Sequence, residues 1–403
     1  YETGPYQNYN FQTPATRYLG RLDYNLSARN KLSLRYNQLD SYTDVLLSNS
    51  TSLGFGNRRT LTTGLNFANS NYQILENIKS VVGEWNAMVG SNMSNNMIIG
   101  YEYHDESRGY KSSMFPFVDV LSGGSVYTSF GFEPFTPNNE LRYGSTQFQN
   151  NFSIYGDKHE LTFGVSAEKY RSENVFFQGA QSVYVYNSLQ DFYDDVNRVR
   201  PVALNRFQVR YNNIPGQDKP LQPLEVSYFG GYAQDEWTVS DKLKVIGGVR
   251  FDVASFGATG FANANADALT FRDETGAAVQ YDSAKLPDAN LMWTPRVGFN
   301  MDLSENRTTQ LRGGTGIFTG KPLWVWISNQ IGNTGVLTGF SEVLAGTDPP
   351  FNPNPDAYKP TNVTGAPAAN YELALTDENF KFPQVWRTNI AVDQRLPWNI
   401  SGT

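Results

Sequence analysis

The chain has no cysteine and only two histidines in 403 residues, and each scarcity removes a class of chemistry. Without thiols there is no disulfide scaffold, no thiol nucleophile and no thiolate metal site, and the redox compartment is left undecided. No run of 18 or more apolar residues occurs, so a membrane crossing would have to be made by strands rather than helices. Dense basic runs are absent and the formal net charge is −7, which argues against a surface that tracks nucleic-acid phosphates. The charged fraction is 18%, below the ~25% of typical soluble domains. The sequence opens at Tyr1 with neither an initiating Met nor a leader peptide and stops at Thr403 just after a strand seeds at Asn399; the expectation is a piece of a longer protein.

What the chain does have is a rhythm. Leu243, Val245, Gly247, Val249, Phe251 and Val253 alternate with Lys244, Ile246, Gly248, Arg250 and Asp252, the pattern of a strand with one apolar and one wet face. The same alternation recurs in Leu32, Leu34 and Tyr36 against Ser33, Arg35 and Asn37, and in Val81 to Val89, Met97 to Tyr103, Leu161 to Ala167, Val297 to Leu303 and Trp386 to Val392. Short turns at 27–30, 91–95, 156–159, 240–242, 304–307 and 396–399 join these segments in pairs. Long stretches over 43–77, 110–144, 177–223, 257–292 and 320–382 separate the pairs. Inside 177–223, Ser188 to Val196 has the form of a short capped helix.

Short turns on one rim and long loops on the other predict an all-β fold, an antiparallel transmembrane β-barrel with short periplasmic turns and long extracellular loops. Eleven strands and the start of a twelfth are expected. Tyr18, Trp85, Tyr103, Trp237, Trp293 and Trp386 fall near strand ends, where interfacial aromatic girdles form.

Two hairpins carry a family resemblance. Gly230-Gly231-Tyr232-Ala233-Gln234-Asp235-Glu236-Trp237 running on to Gly248-Val249-Arg250-Phe251-Asp252 resembles a hairpin of TonB-dependent outer-membrane receptors. Trp293-Thr294-Pro295-Arg296-Val297-Gly298-Phe299-Asn300, followed by Leu311-Arg312-Gly313-Gly314-Thr315-Gly316-Ile317-Phe318, is similar to the next hairpin of the same barrels, above all the Oar-like type with a carboxypeptidase-regulatory-like extension. The resemblance is specific over roughly residues 228–320. It implies a barrel of roughly 22 strands, of which residues 1–403 would be a partial barrel domain, with plug, TonB-binding box and C-terminal strands outside it. It further implies the bacterial outer membrane as location, lipid as surroundings, energy relayed by TonB, ExbB and ExbD through the missing N-terminal region, and a surface lipoprotein as a further partner. TonB-energised uptake of a bulky or scarce solute is the function so implied. A surface-adhesion or secretion-associated barrel and a passive diffusion porin are the alternatives. Iron chelates, oligosaccharides and peptides all stay open as solutes.

No catalytic residue, metal site or cofactor is expected. His159 sits in a turn, and His104, beside Glu102 and Asp105, reads as a polar lumenal residue rather than a ligand or base. Gly313 to Gly316 lacks the Gly-Lys-Ser/Thr of a phosphate loop and lies inside a strand. Asp191, Asp194 and Asp195 lack the ligand spacing of a calcium loop. The wet face nominates Glu84, Glu102, Glu168, Arg250, Arg296, Arg312 and Arg387 as facing the lumen or a plug. The loops nominate Phe115, Phe117, Tyr127, Phe130, Phe132, Trp324 and Trp326 as solute contacts, with loop packing as the competing role for each.

Overall fold

The computed structural model describes residues 1–403 apart from Thr60, Pro137, 258–260, Asp348 and the side chain of Asn399. Residues 258–260, inside the loop expected over 257–292, and the side chain that ends the turn expected at 396–399 thus lie outside the description. The wall is an antiparallel meander of β1 (Ala15–Ser27), β2 (Asn30–Val45), β3 (Asn77–Val89), β4 (Met93–Asp105), β5 (Glu140–Tyr155), β6 (His159–Val175), β7 (Gln222–Ser240), β8 (Leu243–Phe256), β9 (Met292–Asp302), β10 (Thr309–Thr319), β11 (Gln384–Arg395) and the stub β12 (Ser401–Gly402). Tyr72–Leu75 and Arg108–Tyr110 prolong β3 and β4 beyond short breaks and complete a 14-stranded sheet. Each wall strand pairs with its neighbour in sequence, so the short turns and long loops fall on opposite rims as the rhythm predicts.

Register fixes the two faces. Across the wall Leu22 lies opposite Leu34, Gly83 opposite Ile99, Phe148 opposite Ala167 and Phe229 opposite Val253. One residue along, the rows run Asp23 with Ser33, Gln149 with Ser166 and Gly230 with Asp252. A slip of one residue would exchange the faces, so the alternation itself specifies the pairing. The apolar face is bare: Trp386 is 77% exposed and Ile390 74%. Such a continuous band is stable against hydrocarbon and not against water. Tyr18, Trp85, Tyr103, Trp237, Trp293 and Trp386 all stand on this face by register. The described wall is an open arc whose edge strands are β1 and β12.

The long loops fold into a second layer that the alternation does not foretell. Four of them contribute to a six-stranded sheet in the order Thr338–Leu344, Arg206–Asn212, Val183–Tyr186, Phe117–Ser122, Ser125–Phe130 and Leu65–Asn66. Two of its pairings are parallel, Val183–Tyr186 beside Phe117–Val120 and Leu65–Asn66 beside Thr128–Ser129. One face buries Val118, Val120, Tyr184, Tyr186, Phe207 and Val209 beneath Val202, Leu204 and Phe351. The helix Leu189–Val196 packs there, its N-terminus closed by Ser188 Oγ accepting from the Asp191 N–H at 3.1 Å. On the other face Arg58 and Asp119, both sealed from solvent, form a two-pronged ion pair at 2.9 and 2.7 Å. Ser129 Oγ and the Phe55 N–H also donate to Asp119, while Arg58 donates to the Ser48 and Leu53 carbonyls. With its own core and a fully bonded buried pair, this layer is a folded cap rather than a set of free loops.

Candidate functional site: the lumenal wall and its mouth

By register all seven nominated charges stand on the polar face of the wall. Glu84 lies opposite Ser33, Glu102 opposite Ser145, Glu168 opposite Gln147 and Arg250 opposite Tyr232. Arg296, Gly316 and Arg387 form one row across β9, β10 and β11, and Arg312 faces Ala391. Most of these charges are tied into cross-strand bonds. Glu84 accepts from Asn86 and Asn96 at 2.9 and 3.1 Å, and the chain of amides continues through Asn151 to the Tyr232 hydroxyl. Glu102 accepts from Gln147 at 3.1 Å, and Arg312 pairs with Asp393 at 2.6 Å. Arg296 donates to Gln234 at 2.9 Å. The Arg387 side chain has no hydrogen-bond or ion-pair partner among the described residues.

A cavity of about 410 Å³ opens on this face, bordered by Gln149, Glu168, Tyr228, Arg250, Asp252 and Lys321. Its charges are compensated apart from Arg296, which also borders it and donates to the neutral Gln234. Arg250 grips the buried Asp252 at 2.6 to 2.9 Å and reaches Ser166 at 3.1 Å. Lys321 pairs with Glu168 and sits 4.5 Å from the centre of the Tyr228 ring. Asp252 and Lys321 were not among the sequence nominations. Asp252 was signalled by the spacing Arg250-Phe251-Asp252, which puts both charges on one strand face, and Arg21-Leu22-Asp23 repeats it with bonds of 2.8 and 2.9 Å. Lys321 lies beyond the end of β10, where alternation gives no direction.

The mouth is narrowed from within. The helix Trp324–Gly332 follows β10 and buries Trp324, Ile327 and Ile331 against Tyr170, Leu224, Val226, Tyr228, Ala254 and Met292, all on the polar-face register near the long-loop rim. Trp324 is therefore a packing residue, in ring contact with Tyr170, Phe256 and Phe382. Of the other nominated aromatics, Phe117 is sealed beneath the Arg58 guanidinium and Phe132 is buried against Tyr110. Phe130 packs edge-on to Phe192, and Phe115 stacks on Tyr1. Tyr127 and Trp326 remain open to solvent.

His104 lies between Glu102 and Glu106, at 3.7 and 4.0 Å, and among the described residues neither histidine belongs to a metal-type cluster. His104 stacks on Tyr143 at 4.5 Å, and His159 bonds Asp235 at 2.8 Å beside Trp237. Asp191 and Asp194 both take Arg200, and Asp195 takes the Tyr186 hydroxyl, Arg198 and the Phe351 N–H. Among the described residues no group of three or more acidic or histidine side chains has metal-site geometry.

An apolar outer face, a hydrogen-bonded polar inner face and a folded extracellular cap define the wall of an outer-membrane β-barrel. Residues 2–403 match the family described as Outer membrane beta barrel domain, and the chain belongs to that family; its place is the bacterial outer membrane. Among solved structures, the outer membrane transporter YddB from Escherichia coli is similar at 10% identity and a TM-score of 0.54, over 96% of this chain and 38% of that one. The closed form of the ferric-catecholate import receptor Fiu from K12 E. coli is similar at 11% identity and a TM-score of 0.49, over 96% of this chain and 49% of that one. The copper transporter OprC follows at 13% identity and a TM-score of 0.45, over 77% of this chain and 39% of that one. The chain thus spans less than half the length of these structures, and at such identity the likeness to YddB is one of fold. No curated protein sequence matches the chain.

Proposed function

We propose that the chain forms part of the wall and the extracellular mouth of an active transporter that takes up a bulky or scarce solute through a plugged barrel, energised by TonB with ExbB and ExbD. The observation that supports this best is the mouth itself. A cap with its own core and a helix seated against the inner wall make a restricted, selective entrance, whereas free diffusion is served by an open lumen. The polar inner wall suits contact with a hydrated plug, and Arg387 and Arg296, without carboxylate partners among the described residues, are the side chains best placed to meet acidic groups on it. The hairpin resemblance adds the Oar-like type, a plug and TonB box N-terminal to these residues, and a surface lipoprotein as a further partner over the cap.

The test is solute accumulation by cells making the full-length protein, with and without a protonophore and in a tonB deletion. Energy-dependent accumulation is expected, together with negligible ion conductance of the purified protein in planar bilayers. Conductance without energy would replace the proposal with a passive pore. A stable surface complex in cells that accumulate nothing would replace it with an adhesion or secretion role.

A further inference from the structure

The helix Trp324–Gly332 is buried along most of its length, yet Trp326 is 64% exposed and stacks on no other ring among the described residues. Trp326 is the aromatic ring of this helix left to solvent, and a ring so placed is free to stack on a ligand. Trp326 borders a cavity of about 470 Å³ between the cap and the rim of the wall, together with Glu106, Arg108, Asn139, Phe176 and Asn329. That volume lies within the ~300–1,000 Å³ of small-molecule sites.

Several polar atoms here keep bonding capacity. Glu106 Oε1 accepts from the Tyr143 hydroxyl at 2.7 Å and lies 4.0 Å from His104 Nδ1, and Oε2 has no donor among the described residues. Arg108 donates through Nη1 to the Glu106 carbonyl at 2.6 Å, and its buried Nε has no acceptor among the described residues. The Asn329 side-chain amide has no partner among the described residues. Glu140, also at the cavity, is already held by Lys219 and Arg142 at 2.7 and 2.6 Å. The Glu106 carboxylate disfavours an anionic chelate, and the Arg108 guanidinium disfavours a cation. What remains is a neutral ligand with an apolar face for the indole and vicinal hydroxyls for planar amide, carboxylate and guanidinium groups. A pyranose ring has that composition.

We infer that this cavity is a docking site for one sugar unit of a neutral oligosaccharide, with Trp326 as the stacking platform and Glu106, Arg108 and Asn329 as the hydroxyl partners. The inference deepens the transport reading by naming its solute class and first contact.

The full chain in detergent is titrated calorimetrically with maltohexaose, cellohexaose and chitohexaose, and with hexaglycine and a ferric tris-catecholate as controls. At least one saccharide should bind in the submillimolar range. Trp326→Ala should weaken it about tenfold and Trp326→Phe only a fewfold, since a ring is restored. Asn329→Ala should weaken it several-fold. Because Trp326 is largely exposed, its variants should keep the parent's thermal transition. Binding by none of the three saccharides, binding indifferent to Trp326→Ala, or binding by a control alone would overturn the inference. Detergent binding needs no energy source, so the two readings fail separately. Trp326-dependent saccharide binding without cellular accumulation sinks transport and supports the site; energised accumulation by a saccharide-blind protein sinks the site alone.

Discussion

Replacing Arg58 with Met tests whether the cap is held by its buried ion pair. In the parent, Arg58 satisfies both oxygens of Asp119 and the carbonyls of Ser48 and Leu53, at 2.7 to 2.9 Å and out of reach of water. The substitution keeps most of the side-chain volume but leaves the carboxylate buried, with the Ser129 hydroxyl and the Phe55 N–H as its remaining donors among the described residues. Breaking one partner of such a pair costs about 3–5 kcal/mol. The segment that carries Arg58 crosses the face of the cap sheet, so the cost should appear as local opening of residues 46–59 rather than loss of the wall. At ~1.4 kcal/mol per factor of ten, amide exchange there should accelerate roughly a hundred- to several-thousand-fold. Hydrogen-exchange mass spectrometry on the full chain reads this directly, with peptides of β7 and β8 as the unaffected reference. Asp119→Leu should do similar damage by stranding the guanidinium. The double variant should lose only the few backbone bonds, about 1 kcal/mol each, so the two single costs should fail to add by about 3 kcal/mol or more. Exchange of 46–59 within about threefold of the parent in Arg58→Met, or additive single effects, would refute the reasoning.

Three further outcomes follow from the wall and the cap. Ile390→Lys, on the apolar face, should destabilise the folded barrel by about 2–4 kcal/mol in lipid, while Asn389→Lys on the polar face next door costs little; equal effects in thermal unfolding would reverse the assignment of faces. At Gly164 an added Cβ would fall within 1.9 Å of the Tyr232 ring, so Gly164→Val must displace that ring and its 2.8 Å bond to Asn151, costing about 1–3 kcal/mol in the same assay. Burial raises the Tyr184 and Tyr186 phenols above their usual value, and for Tyr186 the hydrogen bond to Asp195 adds to the rise. A folded-state value above the unfolded one gives stability that is complete below about pH 10 and lost as pH climbs toward the folded value. The cap should therefore open in alkali, with a late, cooperative phase of phenolate absorbance that Tyr186→Phe shifts; smooth ionisation of every tyrosine near pH 10 would contradict this.

The wall was legible because its period is strict: each strand meets hydrocarbon on one side and a hydrated lumen on the other, so every second residue reports its face. Those positions set the register of β7 with β8 and of β9 with β10, and placed the seven charges on one side. The cap was illegible for the converse reason. Phe117-Val118-Asp119-Val120-Leu121 and Val183-Tyr184-Val185-Tyr186 are buried on both faces, so they lose the alternation and read as apolar patches in loops. Their partners come from other loops, some in parallel, and no local signal encodes that choice. The aromatic richness of the loops was visible, but not that Phe117, Phe132 and Trp324 would sit inside cores while Trp326, two residues from Trp324 on the same helix, would face outward. That difference depends on how the helix is rotated against the inner wall, a property of tertiary packing.

The interleaving of the cap strands has a consequence for assembly. Leu65–Asn66 docks on Ser125–Phe130, and the opposite edge of the same sheet is Thr338–Leu344, so the sheet is incomplete until five successive wall strands pairs have brought their loops to one rim. Its non-local and parallel pairings are slow to form, while the local hairpins of the wall are fast. The cap is thus an end-point latch: a chain with one hairpin misregistered or left outside the bilayer would present loose loops rather than a closed sheet. Protease resistance of residues 46–66 and 338–344 would then report completed insertion of the whole wall, from a position no wall strand occupies.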